Sequence, residues 1–209
     1  MTRRLIQLFW GLALYGFSIG LMVRANLGLD PWDVFHQGLS NRTGISLGMM
    51  VNLVGAVVLL LWIPIRQRPG IGTIANVLLI GTFADLSLWL LPPVQSLPLA
   101  AGMMVGAVVL NGLATGAYIG AGLGPGPRDG LMTGLVKRTG GSVRVIRTGI
   151  EIAVLAAGWL LGGTAGLGTL LYAIAIGPIV HRMLPLFAIV EKPKPPTVPI
   201  AADYCPQPR

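Results

Sequence analysis

Six stretches of about 20 mostly apolar residues dominate the sequence, and each is long enough to cross a bilayer as a helix. They lie at residues 5–23, 45–65, 71–91, 97–119, 145–163 and 167–190. Hydrophobic residues make up 54% of the 209 residues, and charged residues only 11%. Because six spans use roughly 120 residues, little chain remains for a water-soluble domain. The sequence predicts an all-α membrane protein with one transmembrane domain, residues 1–190, and excludes a soluble enzyme.

The positions of the basic residues predict how the chain crosses the membrane. Of 15 lysines and arginines, 13 lie before the first span, between the second and third, from the end of the fourth into the fifth, or near the end of the sixth. Only Arg24 and Arg42 fall on the opposite side. Cytoplasmic loops carry an excess of Lys and Arg, so we expect both termini in the cytoplasm. This pattern also accounts for the net charge of +8 without a nucleic-acid partner.

The chain offers little for metal or covalent chemistry. Its only cysteine, Cys205, lies in a proline-rich segment, residues 191–209, which we expect to be a disordered cytoplasmic tail. The two histidines, His36 and His181, are too few for a three-ligand zinc site. The sequence lacks the motifs of serine hydrolases, zinc proteases and P-loop ATPases. We therefore expect no metal, no cofactor and no enzymatic activity.

The two halves of the chain repeat each other at an offset of 96 residues. Repeat one covers about 5–91 and repeat two about 97–190. Each copy holds three spans, and an odd number of crossings makes the second copy enter the membrane from the opposite side. The sequence thus predicts two inverted three-helix repeats, the plan of many secondary transporters. The strongest matches are Leu27-Gly28-x-x-Pro31-x-Asp33 with Leu123-Gly124-x-x-Pro127-x-Asp129, and Arg42-Thr43-Gly44-x-Ser46 with Arg138-Thr139-Gly140-x-Ser142.

A structural motif follows the first span of each repeat. Gly28 and Gly124 permit a tight turn, and Pro31 and Pro127 suit the first position of a new helix. The following short helices, about 31–41 and 127–138, are too polar to span. They either lie on the membrane surface or enter it as re-entrant half-helices whose amino termini line a central cavity. The sequence leaves both arrangements open.

Asp33 and Asp129 fall in the first turn of these short helices. A carboxylate at that position meets free amide groups and the positive end of the helix dipole. Both aspartates therefore have a structural reading as helix-stabilising groups and a functional one as ligands of a cation or substrate. Asp30 is a candidate cap of the first short helix, whereas Gly126 stands at the equivalent position of the second.

Few polar groups lie inside the spans, and such groups usually face a partner or a path. Asp85 lies in the third span, and His181 stands at its equivalent position in the sixth. Glu151 stands four residues after Arg147, a spacing that predicts an ion pair on one helix face. We place a hypothetical substrate or ion path along Asp33, Asp129, Asp85, Asn52, Asn76 and Asn111. Hydrogen bonds between helices are the alternative for the three asparagines.

Glycines at four-residue spacing mark one face of the first and fourth spans. Gly16 and Gly20 correspond to Gly112 and Gly116 under the offset of 96 residues. Such faces allow close approach of helix backbones. We expect the two spans to cross each other through these faces, with dimerisation as the alternative.

The segments of residues 25–39 (ANLGLDPWDVFHQGL) and 124–132 (GPGPRDGLM) carry a family resemblance. With them the chain resembles the YczE-like bacterial integral membrane proteins, a branch related to the YitT group, over about residues 5–187. The resemblance implies a bacterial inner-membrane protein. It supplies no substrate and no catalytic residues.

From these features we expect a secondary transporter or permease-like protein for an unknown small molecule, embedded in the lipid bilayer. The alternative is a non-transporting membrane protein that supports or regulates a partner complex. A homodimer and a membrane partner are both compatible with the sequence.

Overall fold

A computed structural model of the chain describes residues 1–189, and the tail expected at 191–209 lies outside the described residues. The described part forms nine helices joined by short loops. In chain order they are α1 (Thr2–Ala25), α2 (Pro31–Thr43), α3 (Leu47–Leu60), α4 (Trp62–Ile65), α5 (Ile71–Leu90), α6 (Leu97–Gly120), α7 (Pro127–Thr139), α8 (Val143–Leu160) and α9 (Leu167–Phe187).

Within residues 1–189, five segments are long and apolar enough to cross a membrane: α1, the stretch Leu47–Ile65 formed by α3 and α4, α5, α6 and α9. Helix α8 lies at the predicted fifth span, but its 18 residues include Arg144, Arg147 and Glu151. Large apolar side chains point outward, such as Trp89 at 81% exposure. An extensive apolar exterior is typical of a surface that meets lipid. The chain is an all-helical, multi-pass membrane protein.

The short helices α2 and α7 begin where the repeated motif predicts. Each starts at a proline and follows a glycine with positive φ, 120° at Gly28 and 125° at Gly124. Glycine adopts this backbone conformation without the steric cost that a side chain brings. The motif therefore turns the chain sharply after α1 and after α6.

The loop after the first helix of each half packs against the last helix of the other half. The Gly168 amide in the first turn of α9 donates to the Leu27 carbonyl at 2.7 Å. The Gly72 amide in the first turn of α5 donates to the Leu123 carbonyl at 2.8 Å. Both bonds join residues that are equivalent under the 96-residue offset. Since first-turn amides have no partner in their own helix, each half completes a helix end of the other.

Helices α1 and α6 form the centre of the molecule and run antiparallel. Gly11 of α1 lies beside Ala114 and Tyr118 of α6. Two turns further along α1, Ser18 accepts a hydrogen bond of 2.8 Å from the side chain of Asn111, which lies earlier in α6. Later residues of α1 thus contact earlier residues of α6, so the two helices are antiparallel.

The expectation that the glycine faces of the first and fourth spans pack on each other is wrong. A Cβ on Gly16 would lie 2.5 Å from the Ile80 carbonyl oxygen of α5, and a Cβ on Gly112 would lie 2.3 Å from the Ile179 side chain of α9. Each face thus packs on the third long helix of its own half, while α1 and α6 meet through other small residues such as Gly11. Glycine spacing identifies a surface for close approach but does not specify which helix approaches it.

Two helix crossings are equivalent under the offset of 96 residues, but the glycine at the crossing lies on a different helix in each half. In one, the ring of Trp62 from α4 lies directly over Gly130 of α7. In the other, Gly158 of α8 lies against the backbone of Val34 in α2. Positions 62 and 158 are equivalent under the offset, as are positions 34 and 130. The two halves therefore reach similar helix contacts with opposite arrangements of bulk.

Candidate functional site

The first turns of α2 and α7 meet inside the protein. Asp30 is 1% exposed and caps α2, as expected, by accepting a hydrogen bond of 2.8 Å from the Asp33 amide. Its other oxygen lies 3.4 Å from Nη1 of Arg128, the second residue of α7. The Arg128 guanidinium also lies 5.4 Å from the centre of the Tyr15 ring, within cation–π distance. An ion pair thus joins the two short helices.

A first cavity of about 60 Å³ lies beside this junction, among α1, α2, α3, α5 and the start of α7. It can hold a few water-sized groups. Most of its lining is apolar, including Ile19, Val54 and Ile80. Its polar side chains come from both halves of the chain: Tyr15, Asp33, His36, Asn76, Tyr118 and Arg128.

Asp33 is the most unusual side chain of the first cavity. It is 3% exposed, and its Oδ1 atom lies 2.9 Å from Nδ1 of His36. Its Oδ2 atom and the hydroxyl of Tyr15 are buried, and neither has a hydrogen-bond partner within residues 1–189. The Asn76 side chain, 8% exposed, lines the same cavity. Asp33 and Tyr15 thus each bring an unpaired polar atom to this part of the protein, and Asn76 adds a carboxamide.

Burial determines the protonation of the groups on α2, which is not a spanning helix. Burial raises the pKa of Asp30, and the charge of nearby Asp33 raises it further. Burial also raises the pKa of Asp33 and lowers the pKa of His36. Desolvation acts in this direction because it disfavours the charged form of each group. His36 is thus favoured as a neutral imidazole, which leaves Arg128 as the cation of this cluster.

A second, larger cavity of about 320 Å³ lies among α6, α7, α8 and α9. In it, the Tyr118 hydroxyl donates to Asp129 Oδ2 at 2.9 Å. The expected pair of Arg147 and Glu151 also lines it, with Nε donating to Oε1 at 2.9 Å. His181 contributes a further polar group. This cavity therefore offers charges of both signs to a small polar molecule.

Three side chains line both cavities and form a septum between them: Trp32, Tyr118 and Arg128. The linings correspond under the offset of 96 residues, with Asp33 and Ile80 in the first cavity matching Asp129 and Ile176 in the second. The two cavities are therefore equivalent spaces of the two halves.

The cavities differ in size because equivalent helices touch in the first half and lie apart in the second. A Cβ on Gly48 of α3 or on Gly81 of α5 would lie 2.0 Å from the other glycine's carbonyl oxygen. Asn52 reinforces this contact by accepting from the Gly81 amide at 3.1 Å and donating to the Leu78 carbonyl at 3.2 Å. Gly177 of α9, the counterpart of Gly81, has no neighbour within 4 Å among the described residues. This packing makes the first cavity the smaller of the two.

The other residues of the hypothetical path do not lie together: two make contacts between helices, and three line one of the two cavities. Asp85 caps α3, since its oxygens accept from the Ser46 hydroxyl at 2.6 Å and from the Gly48 amide at 2.7 Å. Asn111 is fully buried between the Ser18 hydroxyl, to which it donates, and the Tyr172 hydroxyl, which donates to it at 3.0 Å. Asp33 and Asn76 share the first cavity, and Asp129 lines the second. A role in transport remains a prediction for each of them.

Sequence reasoning did not identify the septum. Trp32 and Arg128 occupy equivalent positions of the repeat but are unlike residues, so identity between the two copies does not mark them. Unlike pairs inside an otherwise matching motif were the signal that could have identified them. Within residues 1–189, no three His, Cys, Asp or Glu side chains come together as a metal site.

Comparison with known proteins settles the family. Residues 2–185 match a family described as "Family of unknown function (DUF6198)". The chain belongs to this family. An uncharacterized protein of Haemophilus influenzae is 37% identical over 181 residues, which cover 87% of this chain and 83% of that protein.

Two Bacillus subtilis proteins also resemble this member of the DUF6198 family. The "Uncharacterized membrane protein YczE" is 37% identical over 179 residues, 85% of this chain and 83% of the relative. The "Uncharacterized protein YyaS" is 26% identical over 183 residues, 84% of this chain and 90% of the relative. The expected YczE-like membership is thereby confirmed. No solved structure matches the chain.

Proposed function

We propose that this protein is a secondary transporter that carries a small polar molecule across the bacterial inner membrane by alternating access. In this proposal six spans form two inverted three-helix repeats, both termini are cytoplasmic, and α2 and α7 are re-entrant half-helices. The antiparallel packing of α1 against α6 supports the inversion. The buried junction of Asp30 with Arg128 supports re-entrant helices, because polar groups at membrane depth require protein or water around them.

Helix α8, the fifth span in chain order, brings the number of spans in the proposal from five to six. Its 18 residues extend about 27 Å at 1.5 Å per residue, close to the hydrocarbon thickness of about 30 Å. Arg147 and Glu151 form an ion pair and face the second cavity, which lowers the cost of placing them within the membrane.

The observation that carries the proposal is the pair of equivalent cavities of unequal size, about 60 Å³ and about 320 Å³, on the two sides of a shared septum. In an inverted repeat, equivalent cavities open toward opposite faces of the membrane. Closure of α8 onto α9, coupled to separation of α3 from α5, would exchange the roles of the two cavities. A molecule beside the septum would then face first one compartment and then the other.

Disulfide cross-linking tests this exchange directly. A Cβ on Gly55 of α3 would lie 3.8 Å from the Val77 Cα of α5, a separation that suits a disulfide. The first cysteine pair is therefore Gly55→Cys with Val77→Cys. The equivalent pair in the second half is Glu151→Cys with Ala173→Cys. Replacing Cys205 by Ser removes the native thiol.

We expect the first pair to cross-link readily in membranes, and the second pair to cross-link in the fraction of molecules that adopt the exchanged state. Single-cysteine variants serve as controls. A four-cysteine variant should form either disulfide but not both in one molecule. Complete failure of the second pair, or both disulfides in the same molecule, contradicts alternating access and favours a non-transporting membrane protein.

A further inference from the structure

The first cavity contains two buried oxygen atoms without a partner, Asp33 Oδ2 and Tyr15 Oη. Both residues are 3% exposed, and both line the same space of about 60 Å³. Native proteins seldom leave buried polar atoms unpaired. Two such atoms, on residues that line one small cavity, indicate a ligand that interacts with oxygen.

The charges around this cavity define the ligand further. Asp30 and Asp33 contribute two carboxyl groups, whereas Arg128 contributes one cation and is paired with Asp30 at 3.4 Å. His36 contacts Asp33 but favours its neutral form, since burial lowers its pKa. Burial raises the pKa of both carboxyls and so favours their protonated forms, which couples cation binding here to ionisation of Asp33. Because Arg128 pairs with Asp30, the ionised Asp33 carboxylate pairs with no arginine or lysine within residues 1–189.

One negative charge and neutral oxygen ligands suit a small cation of single charge. The Asn76 carboxamide can supply a third oxygen, because its side chain lines the same cavity. A calcium ion takes six to eight oxygen ligands and usually several carboxylates, which this cavity does not offer. An anion would meet the ionised Asp33 carboxylate, which lines the cavity, and be repelled.

We infer that the first cavity is a binding site for a monovalent cation, held by Asp33 Oδ2, Tyr15 Oη and the Asn76 carboxamide. An alkali ion and the ammonium group of a small molecule share this chemistry. As a coupling or substrate site, the inference rests on the proposed transport function. As a binding site, it is independent of transport, because Tyr15, Asp33 and Asn76 all belong to the first half and need no exchange between the two cavities.

Thermal unfolding of the purified full-length protein tests cation binding, with the fluorescence of its five tryptophans as the signal. The protein is titrated with NaCl, KCl or methylammonium chloride, and choline chloride keeps the ionic strength constant. A ligand that binds only the folded state stabilises it by RT ln(1 + [L]/Kd), so the unfolding temperature keeps rising with the logarithm of the ligand concentration above Kd. We expect such a rise with at least one of the three salts relative to choline, and the active salt identifies the source of the charge.

Asp33→Asn and Asp129→Asn form a matched pair, because the two aspartates are equivalent in the repeat but line different cavities. We expect Asp33→Asn to weaken the apparent affinity at least about tenfold, since it removes the charged ligand. Asp129→Asn should keep the cation response of the native protein. Tyr15→Phe, which removes one neutral oxygen, provides a second variant if Asp33→Asn does not fold, and it should weaken binding several-fold.

The inference is overturned if none of the three salts raises the unfolding temperature relative to choline. An equal response in Asp33→Asn and the native protein also overturns it, as does an undiminished response in Tyr15→Phe. Cation binding without exchange of the two cross-links would retain this site and reject alternating access. Exchange of the cross-links without cation binding would do the reverse.

Discussion

Gly130 provides a quantitative test of the helix packing, because it lies directly under the Trp62 ring. A Cβ at residue 130 would lie 1.9 Å from Cζ2, 2.3 Å from Cη2 and 2.6 Å from Cε2 of that ring. Carbon atoms in ordinary contact are about 3.5–4.0 Å apart, so even alanine overlaps three ring atoms by about 1 Å or more. The ring is 2% exposed, and its Nε1 donates to the Pro127 carbonyl at 3.0 Å, which limits any movement.

Overpacking of this kind costs about 1–3 kcal/mol. Alanine recovers up to about 1 kcal/mol of helix propensity over glycine. We therefore expect Gly130→Ala to lower the free energy of unfolding by about 1–2 kcal/mol, measured by denaturant unfolding in micelles. Gly106→Ala is the matched control, because a Cβ there meets no neighbour within 4 Å in the described part of the chain. That control should be neutral or slightly stabilising.

The equivalent crossing of Val34 and Gly158 suggests a second substitution that should restore part of the lost stability. Gly130→Val and Trp62→Gly should each destabilise the protein, the second by about 3–5 kcal/mol through loss of a buried ring. Together they recreate the composition of the equivalent crossing, and we expect the double variant to be more stable than the sum of its parts by at least about 1 kcal/mol. Strict additivity, or native stability of Gly130→Ala, would refute the packing argument.

Three further outcomes follow from the contacts of single polar groups. Asn111→Ala removes the acceptor of the Tyr172 hydroxyl and one of the two hydrogen-bond partners of the Ser18 hydroxyl, so we expect a loss of about 2–4 kcal/mol in unfolding free energy; a variant of native stability contradicts this. Asp85→Asn weakens the cap through which α5 holds the start of α3, so the disulfide between Gly55→Cys and Val77→Cys should form more slowly in membranes. An unchanged rate would show that Asp85 does not hold α3 against α5. The apparent Kd for the cation should rise as the pH falls, because burial raises the pKa of Asp33 and protons compete for its carboxylate; a pH-independent Kd in the unfolding assay would exclude Asp33 as the ligand.

The sequence predicts the helices well because their signals are local. Apolar runs locate the long helices, and the glycine and proline of each motif locate the starts of α2 and α7 at Pro31 and Pro127. The cap at Asp30 follows from residue type and position alone. Helix α8 is less clear, since three charged residues reduce its apolar signal.

Contacts between distant helices are harder to predict. The Gly16 and Gly112 faces specify close approach, but only the three-dimensional arrangement selects α5 and α9 as their partners. The septum joins Trp32 and Arg128, which a search for identical residues passes over. The unequal cavities are also hard to predict from the repeat, because they depend on the close contact of Gly48 with Gly81, and Arg144 stands at the position equivalent to Gly48.

The two bonds that link Leu27 with Gly168 and Leu123 with Gly72 affect how the chain can be assembled. Each supplies an acceptor to a first-turn amide that has no partner in its own helix. A fragment that holds one half alone therefore lacks the carbonyl that its last helix uses. During synthesis the start of α5 can gain its acceptor only after the ribosome has added Leu123.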